Sequence, residues 1–288
     1  YSTDSLGSTI GTDADIVFSR SSDDGVTWRA SKALNNYANS DSGNDYDPCI
    51  ATDGTGHWVA LWHTSGGLSG IGSDRDIVFA TSSDNGANWS SAKALNKSAT
   101  TDSRNDRQAR IIYAGSGKWI AVWQADGARS GASGTDSDIL FSISTDNGST
   151  WSTEKPLHAN MNSDSRDDLW PSIASNSGGQ LAVAWQSKAS TADLYGTDTD
   201  IFLSYSSDYG STWSQAAAVD RFATLDIGED TRPEIRFAAG TWALLWNSTE
   251  SSIGKTGKGD NQIVCSISTD RTHWSDVTLF HSGWNERS

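Results

Sequence analysis

The chain has 288 residues, with 36 acidic against 21 basic side chains and a formal net charge of -15. That excess of negative charge excludes a non-specific nucleic-acid binder and a protein drawn to an anionic membrane, and no apolar run reaches the roughly 18 residues that a membrane-inserted helix needs. Two cysteines, Cys49 and Cys265, are too few for a disulfide framework, and neither has a cysteine or histidine neighbour at zinc-ligand spacing.

Taken in order, residues 1–14 are rich in Ser, Thr and Gly and read as a loop ending in Asp13-Ala14-Asp15. Ile16 to Ser19 then reads as a strand, Ser21 to Trp28 as a tight turn, and Ala30 to Leu34 as a weaker strand. A second pair follows, Pro48 to Ala51 and Trp58 to Trp62, joined by the turn Asp53-Gly54-Thr55-Gly56. Ile77 to Ala80 leads into a second copy of the turn, Ser82 to Trp89. The same four-strand unit recurs through Ile111 to Tyr113, Trp119 to Trp123 and Ile139 to Ser142, and again through Ile173 to Ala174, Leu181 to Trp185 and Ile201 to Ser204. Its last appearance uses Ile235 to Phe237, Trp242 to Trp246 and Ile263 to Ser266.

The turns end on Trp28, Trp89, Trp151, Trp213 and Trp274, a period of 61 or 62 residues. Four short strands per period and no helical pattern describe a propeller blade. The expectation is one all-β propeller domain over 1–288, with box-containing units at 13–34, 48–95, 109–157, 171–219 and 233–280, eighteen strands in total and an opening half blade. For its ends two alternatives stand: the chain is a fragment of a longer propeller, or its ends are paired by contacts that sequence does not reveal. Twelve of the fourteen tryptophans lie at repeated positions, which marks them as core between blades and not a sugar-stacking surface.

Acidic residues also follow the period. One column holds Asp13, Asp74, Asp136, Asp198 and Asp260, with Asp15, Asp76, Asp138, Asp200 and Gln262 two residues on; another pairs Asp41 with Asp45, Asp102 with Asp106, Asp164 with Asp168 and Asp226 with Asp230. Both fall at the blade end opposite the turns. Repetition argues against catalysis, since a reaction centre is one asymmetric place. Three readings stand: loop-holding acceptors of backbone hydrogen bonds, calcium ligands, or direct ligand contacts. No cofactor other than a structural calcium is expected.

In the turn itself, Asp23, Asp84, Asp146, Asp208 and Asp270 are placed to accept hydrogen bonds from turn amides, Gly148 permits a positive backbone angle, and the terminal tryptophan can return into the sheet packing. Thr272 replaces the glycine in the last copy, which is one residue shorter. These turns resemble the Asp-box, or BNR, repeat of sialidases and many other β-propeller proteins, over essentially the whole chain. The resemblance implies a propeller with its boxes on the face away from any sialidase-type active site. Such a site would require three arginines for a substrate carboxylate, an aspartate acid/base, and a tyrosine nucleophile assisted by a glutamate. The early Arg-Ile-Pro motif is absent, because Arg110-Ile111 lacks the proline.

Residues that break the period are the functional candidates: Arg107 and Arg110 near one inner strand, Trp170 before another, Arg232, Glu234 and Arg236 around a third, and Tyr195 in the Ser187 to Thr197 loop. Arginines with a glutamate and a tyrosine suit an acidic sugar, and Trp170 suits a pyranose face; equally, the arginines can pair with the abundant acids while Trp170 caps a blade. His57, His63, His158, His273 and His281 show no metal-ligand spacing. Two main expectations follow. One is a secreted or cell-surface propeller that recognises a glycan or protein surface through its non-box face, and the other is a sialidase-like exo-glycoside hydrolase. A structural repeat segment of a larger surface protein is a third. The sequence does not fix whether the chain is an enzyme or how many copies associate.

Overall fold

The computed structural model describes residues 2–3, 10–68, 71–127, 136–157, 165–189, 195–219, 228–250 and 261–280. Within them nineteen strands form five antiparallel sheets. The first sheet has three strands, β1 (Ser2–Thr3), β2 (Asp15–Phe18) and β3 (Lys32–Ala33). Four four-stranded blades follow in simple order: β4 (Asp45–Thr52), β5 (Trp58–Thr64), β6 (Asp76–Ser82) and β7 (Lys93–Ala94); β8 (Asp106–Gly115), β9 (Lys118–Ala125), β10 (Asp138–Ser144) and β11 (Lys155–Pro156); β12 (Arg166–Ser175), β13 (Leu181–Ala189), β14 (Thr199–Ser206) and β15 (Ala217–Ala218); β16 (Asp230–Ala238), β17 (Thr241–Ser248), β18 (Gln262–Ser268) and β19 (Thr278–Leu279). The expected loop over 1–14 and count of eighteen strands are therefore corrected by one element. Ser2 and Thr3 pair with Ile16 and Asp15, because the edge of β2 offers free backbone groups that any extended segment can satisfy.

Contacts divide the chain into two compact units, Tyr1–Gly127 with Leu140–Lys155, and Ala128–Ile139 with Pro156–Ser288. In the first, Leu61, Trp119, Trp123 and Leu140 are wholly buried and share one core with Val59, Phe79 and Trp151. In the second, Ile235, Leu244, Trp242 and Trp246 form the core with Ile201 and Leu203. The third strand of each middle blade is buried on both faces, as continuous apolar runs such as Ile139-Leu140-Phe141 require. In β18 only alternate residues are covered: Val264 is buried while Ile263 and Ile267 are exposed.

The inner strands begin earlier than hydrophobicity suggests. β4 starts at Asp45, not Pro48, and β8, β12 and β16 start at Asp106, Arg166 and Asp230. Their opening residues include acids of the periodic columns, so charged side chains that read as loop are buried strand residues.

Candidate functional site

Each blade presents two ends, and they are built differently. At the box end the turn is held by its own side chains. Asp146 accepts the Thr150 amide at 2.9 Å and the Thr150 hydroxyl at 2.6 Å, while Ser144 Oγ accepts the Gly148 amide at 2.9 Å. Asp23, Asp84 and Asp208 repeat this pattern with Thr27, Asn88 and Thr212. Donation from Thr27 to Asp23, and from the Asn88 amide to Asp84, holds both carboxyls down at about 2. Gly148 has φ 80°, and a Cβ there would stand 2.5 Å from Val59 Cγ2. Glycine is thus required both by the turn and by the adjoining sheet.

Two box tryptophans return into sheet packing, Trp89 edge-on to Phe18 at 5.9 Å and Trp151 edge-on to Phe79 at 6.1 Å. Trp28 is the exception at 65% exposed. Trp89 and Trp151 each pack on the sheet before their own, and no sheet precedes Trp28 among the described residues. In the shortened last box Asp270 accepts from the amides of Thr272 and His273. Arg271 takes the positive angle, φ 73°, and sends a buried guanidinium to the Ser206 carbonyl at 2.6 Å.

At the opposite end the four inner strands share a feature that sequence reading missed. Each is bulged after its first residues, and each bulge holds a non-glycine residue in the left-handed region: Asp47 (φ 51°), Gln108 (φ 54°), Trp170 (φ 56°) and Arg232 (φ 54°). In three of the four a proline follows, Pro48, Pro171 and Pro233, which restricts the preceding residue further. Left-handed backbone at such residues costs about 1–3 kcal/mol each. The position recurs while its side chain changes every time. Aligning the four inner strands on their acids would have exposed the column.

The predicted candidates sort by unit. In the first, Arg107 pairs with Asp126, which also accepts from Gln124 at 3.1 Å, and Arg110 donates to the Ala109 carbonyl at 3.0 Å. His63 is buried beside Asp47 at 3.7 Å. Burial pushes its imidazole down to about 4; Asp47 opposes the shift, and Arg75 and Arg107 reinforce it. In the second unit, the Arg232 guanidinium lies 4.9 Å from the Trp170 ring centroid, and the Arg232 amide donates to Gln186 Oε1 at 3.0 Å. Arg236 pairs with Glu234, which accepts from Ser172 Oγ at 3.2 Å. Tyr195 lies among other groups of this unit. Its ring is edge-on to Phe202 at 5.0 Å and under the buried Arg166 guanidinium at 5.3 Å. Arg166 went unnoticed because its neighbours in sequence are acids of the repeat.

Behind the bulges lies the acidic layer. Wholly buried Asp15 and Asp45 are bridged by Asn35 Nδ2 at 3.0 and 2.9 Å, and Asp76 and Asp106 by Asn96 Nδ2 at 2.9 and 2.7 Å. The strand-opening amide of Asp45 donates to the Ala14 carbonyl at 2.7 Å, and Asp106 does the same to Arg75. These two amides tie β4 to the residue before β2 and β8 to the residue before β6, each in the preceding sheet. Burial pushes the Asp45 carboxyl up to about 8 and the Asp76 carboxyl to about 7. Asp260, Asp164, Asp226, His158 and His281 lie outside the described residues. Two groups, Asp13 with Asp15 and Asp41, and Asp74 with Asp76 and Asp102, bring carboxylate oxygens within 4.8 Å of one another and could hold a metal ion.

The family model described as BNR repeat-like domain matches residues 7–288. No curated protein sequence matches the chain. Among solved structures, a Hadza microbial sialidase is 18% identical with a TM-score of 0.57, covering 92% of this chain and 52% of its own. A leech intramolecular trans-sialidase is 12% identical with a TM-score of 0.54, covering 84% and 52%. An intramolecular trans-sialidase from Ruminococcus gnavus is 12% identical with a TM-score of 0.54, covering 94% and 79%. The chain thus spans about half the length of the first two, and at these identities the likeness is one of fold. No helix among the described residues is long and apolar enough to cross a membrane.

Proposed function

We propose, from the premise that this chain belongs to the BNR repeat-like domain family, that it is a secreted or cell-surface propeller that binds acidic glycans through the bulge end of its blades. The observation that carries this reading is the Trp170 and Arg232 pair. Two strained, equivalent bulges set an indole and an exposed guanidinium 4.9 Å apart. A carboxylated sugar needs those two groups together, an apolar surface for its ring and a fixed cation for its charge. Arg236 and Glu234, one turn of the pleat further along β16, add a donor and an acceptor for hydroxyls.

Binding is favoured over hydrolysis by how the other candidates are engaged. The Tyr195 ring lies beside Arg166 and Phe202, and the Glu234 carboxylate is engaged by Ser172 and Arg236, where a nucleophilic phenol would need it as its base. Sialosides are the first ligands to test, since structures of similar fold are sialidases and trans-sialidases.

The experiment is a titration of the full chain with sialyllactose and its uncharged lactose parent, together with a fluorogenic sialoside assay. Saturable binding of the sialylated sugar, weakened at least about tenfold in Trp170→Ala and Arg232→Ala and without turnover, is the expected result. Turnover of the sialoside would establish the hydrolase reading instead. Binding of neither sugar, with capture of a protein ligand by the same face, would make the partner a protein surface.

A further inference from the structure

The acidic layer contains two equivalent clusters that differ in one respect. In the second, Arg104 lies two residues after Asp102 and donates to its Oδ2 from Nε at 3.2 Å and Nη2 at 2.8 Å. This guanidinium pairs with Asp102, and its charge also acts on Asp74, Asp76 and Asp106. In the first, the residue two after Asp41 is Gly43. Its place is taken by backbone: a Cβ on Gly43 would stand 2.3 Å from the Gly66 carbonyl oxygen, and one on Gly67 would stand 2.2 Å from Asp41 Oδ2. The charges that act on Asp41 are those of Asp13 and Asp15.

Asp15 supplies the second, independent observation. It is wholly buried; Oδ1 accepts from Asn35, and Oδ2 has no hydrogen-bond partner. A wholly buried carboxylate oxygen without a donor is costly to leave unpaired, so it calls for a partner. Asp13 is similar in geometry. Its Oδ1 is turned back against Gly11, where a Cβ would stand 2.7 Å away, and its Oδ2 is buried without a partner.

We propose that Asp13, Asp15 and Asp41 bind one divalent hard cation, calcium by the chemistry of the donors, and that Arg104 supplies the corresponding positive charge in the next repeat. All three donors are carboxylate oxygens within 4.8 Å of one another. Without nitrogen or sulfur the set disfavours zinc, and calcium accepts six to eight oxygens in irregular geometry. Three carboxylates can provide several of these, and the intermediate exposure of Asp13 and Asp41 leaves access for water to complete the shell. The role is structural: the ion joins the loop before β2 to the loop before β4. It is independent of any glycan bound at the bulges.

The test uses the full chain, stripped with a chelator and dialysed, in a calorimetric titration with calcium chloride and in thermal unfolding with and without ~1 mM calcium. One ion per chain and a rise in midpoint of roughly 5 °C are expected. Asp13→Asn and Asp41→Asn should each weaken calcium binding at least about tenfold, whereas Asp102→Asn should leave it unchanged. Because loss of binding could merely report misfolding, a second reading applies: without calcium, Asp41→Asn should melt no lower than the wild type, since it removes like-charge repulsion. Absence of calcium binding by the wild type would overturn the proposal. So would binding that survives Asp13→Asn and Asp41→Asn, or a second ion lost in Asp102→Asn.

Discussion

The two ends of each blade are both periodic, yet they repeat different things. At the box end the residue types recur with the backbone: Asp23, Asp84, Asp146 and Asp208 each accept from the residue four positions on. At the bulge position of the other end only the backbone recurs, with Asp47, Gln108, Trp170 and Arg232 in one strained conformation. A group that every blade carries solves a problem every blade has, namely closing a turn and seating it on a neighbour. A position that every blade keeps while changing its side chain holds different chemistry at a fixed place. On the proposed reading, the ligand contacts belong at the bulges and the boxes serve folding.

The sharpest break of this comparison lies within the box column itself. Trp151 is buried against Phe79, so Trp151→Ala should lower unfolding free energy by about 3–5 kcal/mol. Trp28 occupies the same box position but is 65% exposed, and Trp28→Ala should cost under about 1 kcal/mol. Denaturant unfolding of both variants checks the pair. Equal losses would mean that the box stabilises through its own turn, independently of the sheet on which its ring rests.

The blades were legible because their third strands are continuous apolar runs and their turns carry Asp and Gly at fixed spacing, signals that survive without any tertiary information. The bulges were not, because the residues that adopt the left-handed conformation are Asp, Gln, Trp and Arg, and no glycine advertises them. Pro48 reads as a strand start, and the strands after Pro171 and Pro233 read as beginning at Ile173 and Ile235. The acids misled in the opposite direction: Asp45, Asp106 and Asp230 looked like loop residues, yet all three are buried at or near the first ladder pairs. Local hydrophobicity cannot show that Asn35 and Asn96 reach 10 residues on to Asp45 and Asp106 and 20 residues back to Asp15 and Asp76. The candidates Arg236 and Glu234 do meet, being two apart on one strand face, whereas the Tyr195 ring lies beside Arg166 and Phe202, contacts between residues far apart in sequence that no local pattern encodes.

Acid should distinguish the two ends next. The box carboxyls Asp23 and Asp84, held at about 2, stay ionised throughout mild acid. His63, at the bulge end, is kept neutral by burial, with its imidazole pushed down to about 4. Below its unfolded value of about 6.5 the unfolded chain takes up a proton that the folded chain refuses, so stability falls as pH drops from there towards 4. The loss attributable to this one group should be about 2–3 kcal/mol across that window. Comparing the wild type with His63→Gln isolates it from the raised carboxyls nearby. A parallel pH dependence in the two proteins would show that Asp47 offsets burial and that His63 is protonated in the fold.

The smallest effect is the most informative, because its sign separates display from folding. Arg232 is exposed, holds φ 54° immediately before Pro233, and contributes its side chain to the face of Trp170. Glycine adopts that backbone without steric cost, whereas arginine is strained there. Arg232→Gly should therefore raise unfolding free energy by roughly 0.5–1 kcal/mol, the relief of strain exceeding both the greater freedom of the unfolded glycine and the lost exposed ring contact. The same variant should lose acidic-glycan binding. A gain in stability with a loss of binding would show that the fold tolerates strain at this bulge for the side chain it presents. A loss of stability would instead make the Arg232 and Trp170 contact part of what holds β12 and β16 together, and the bulge column would join the boxes as structure.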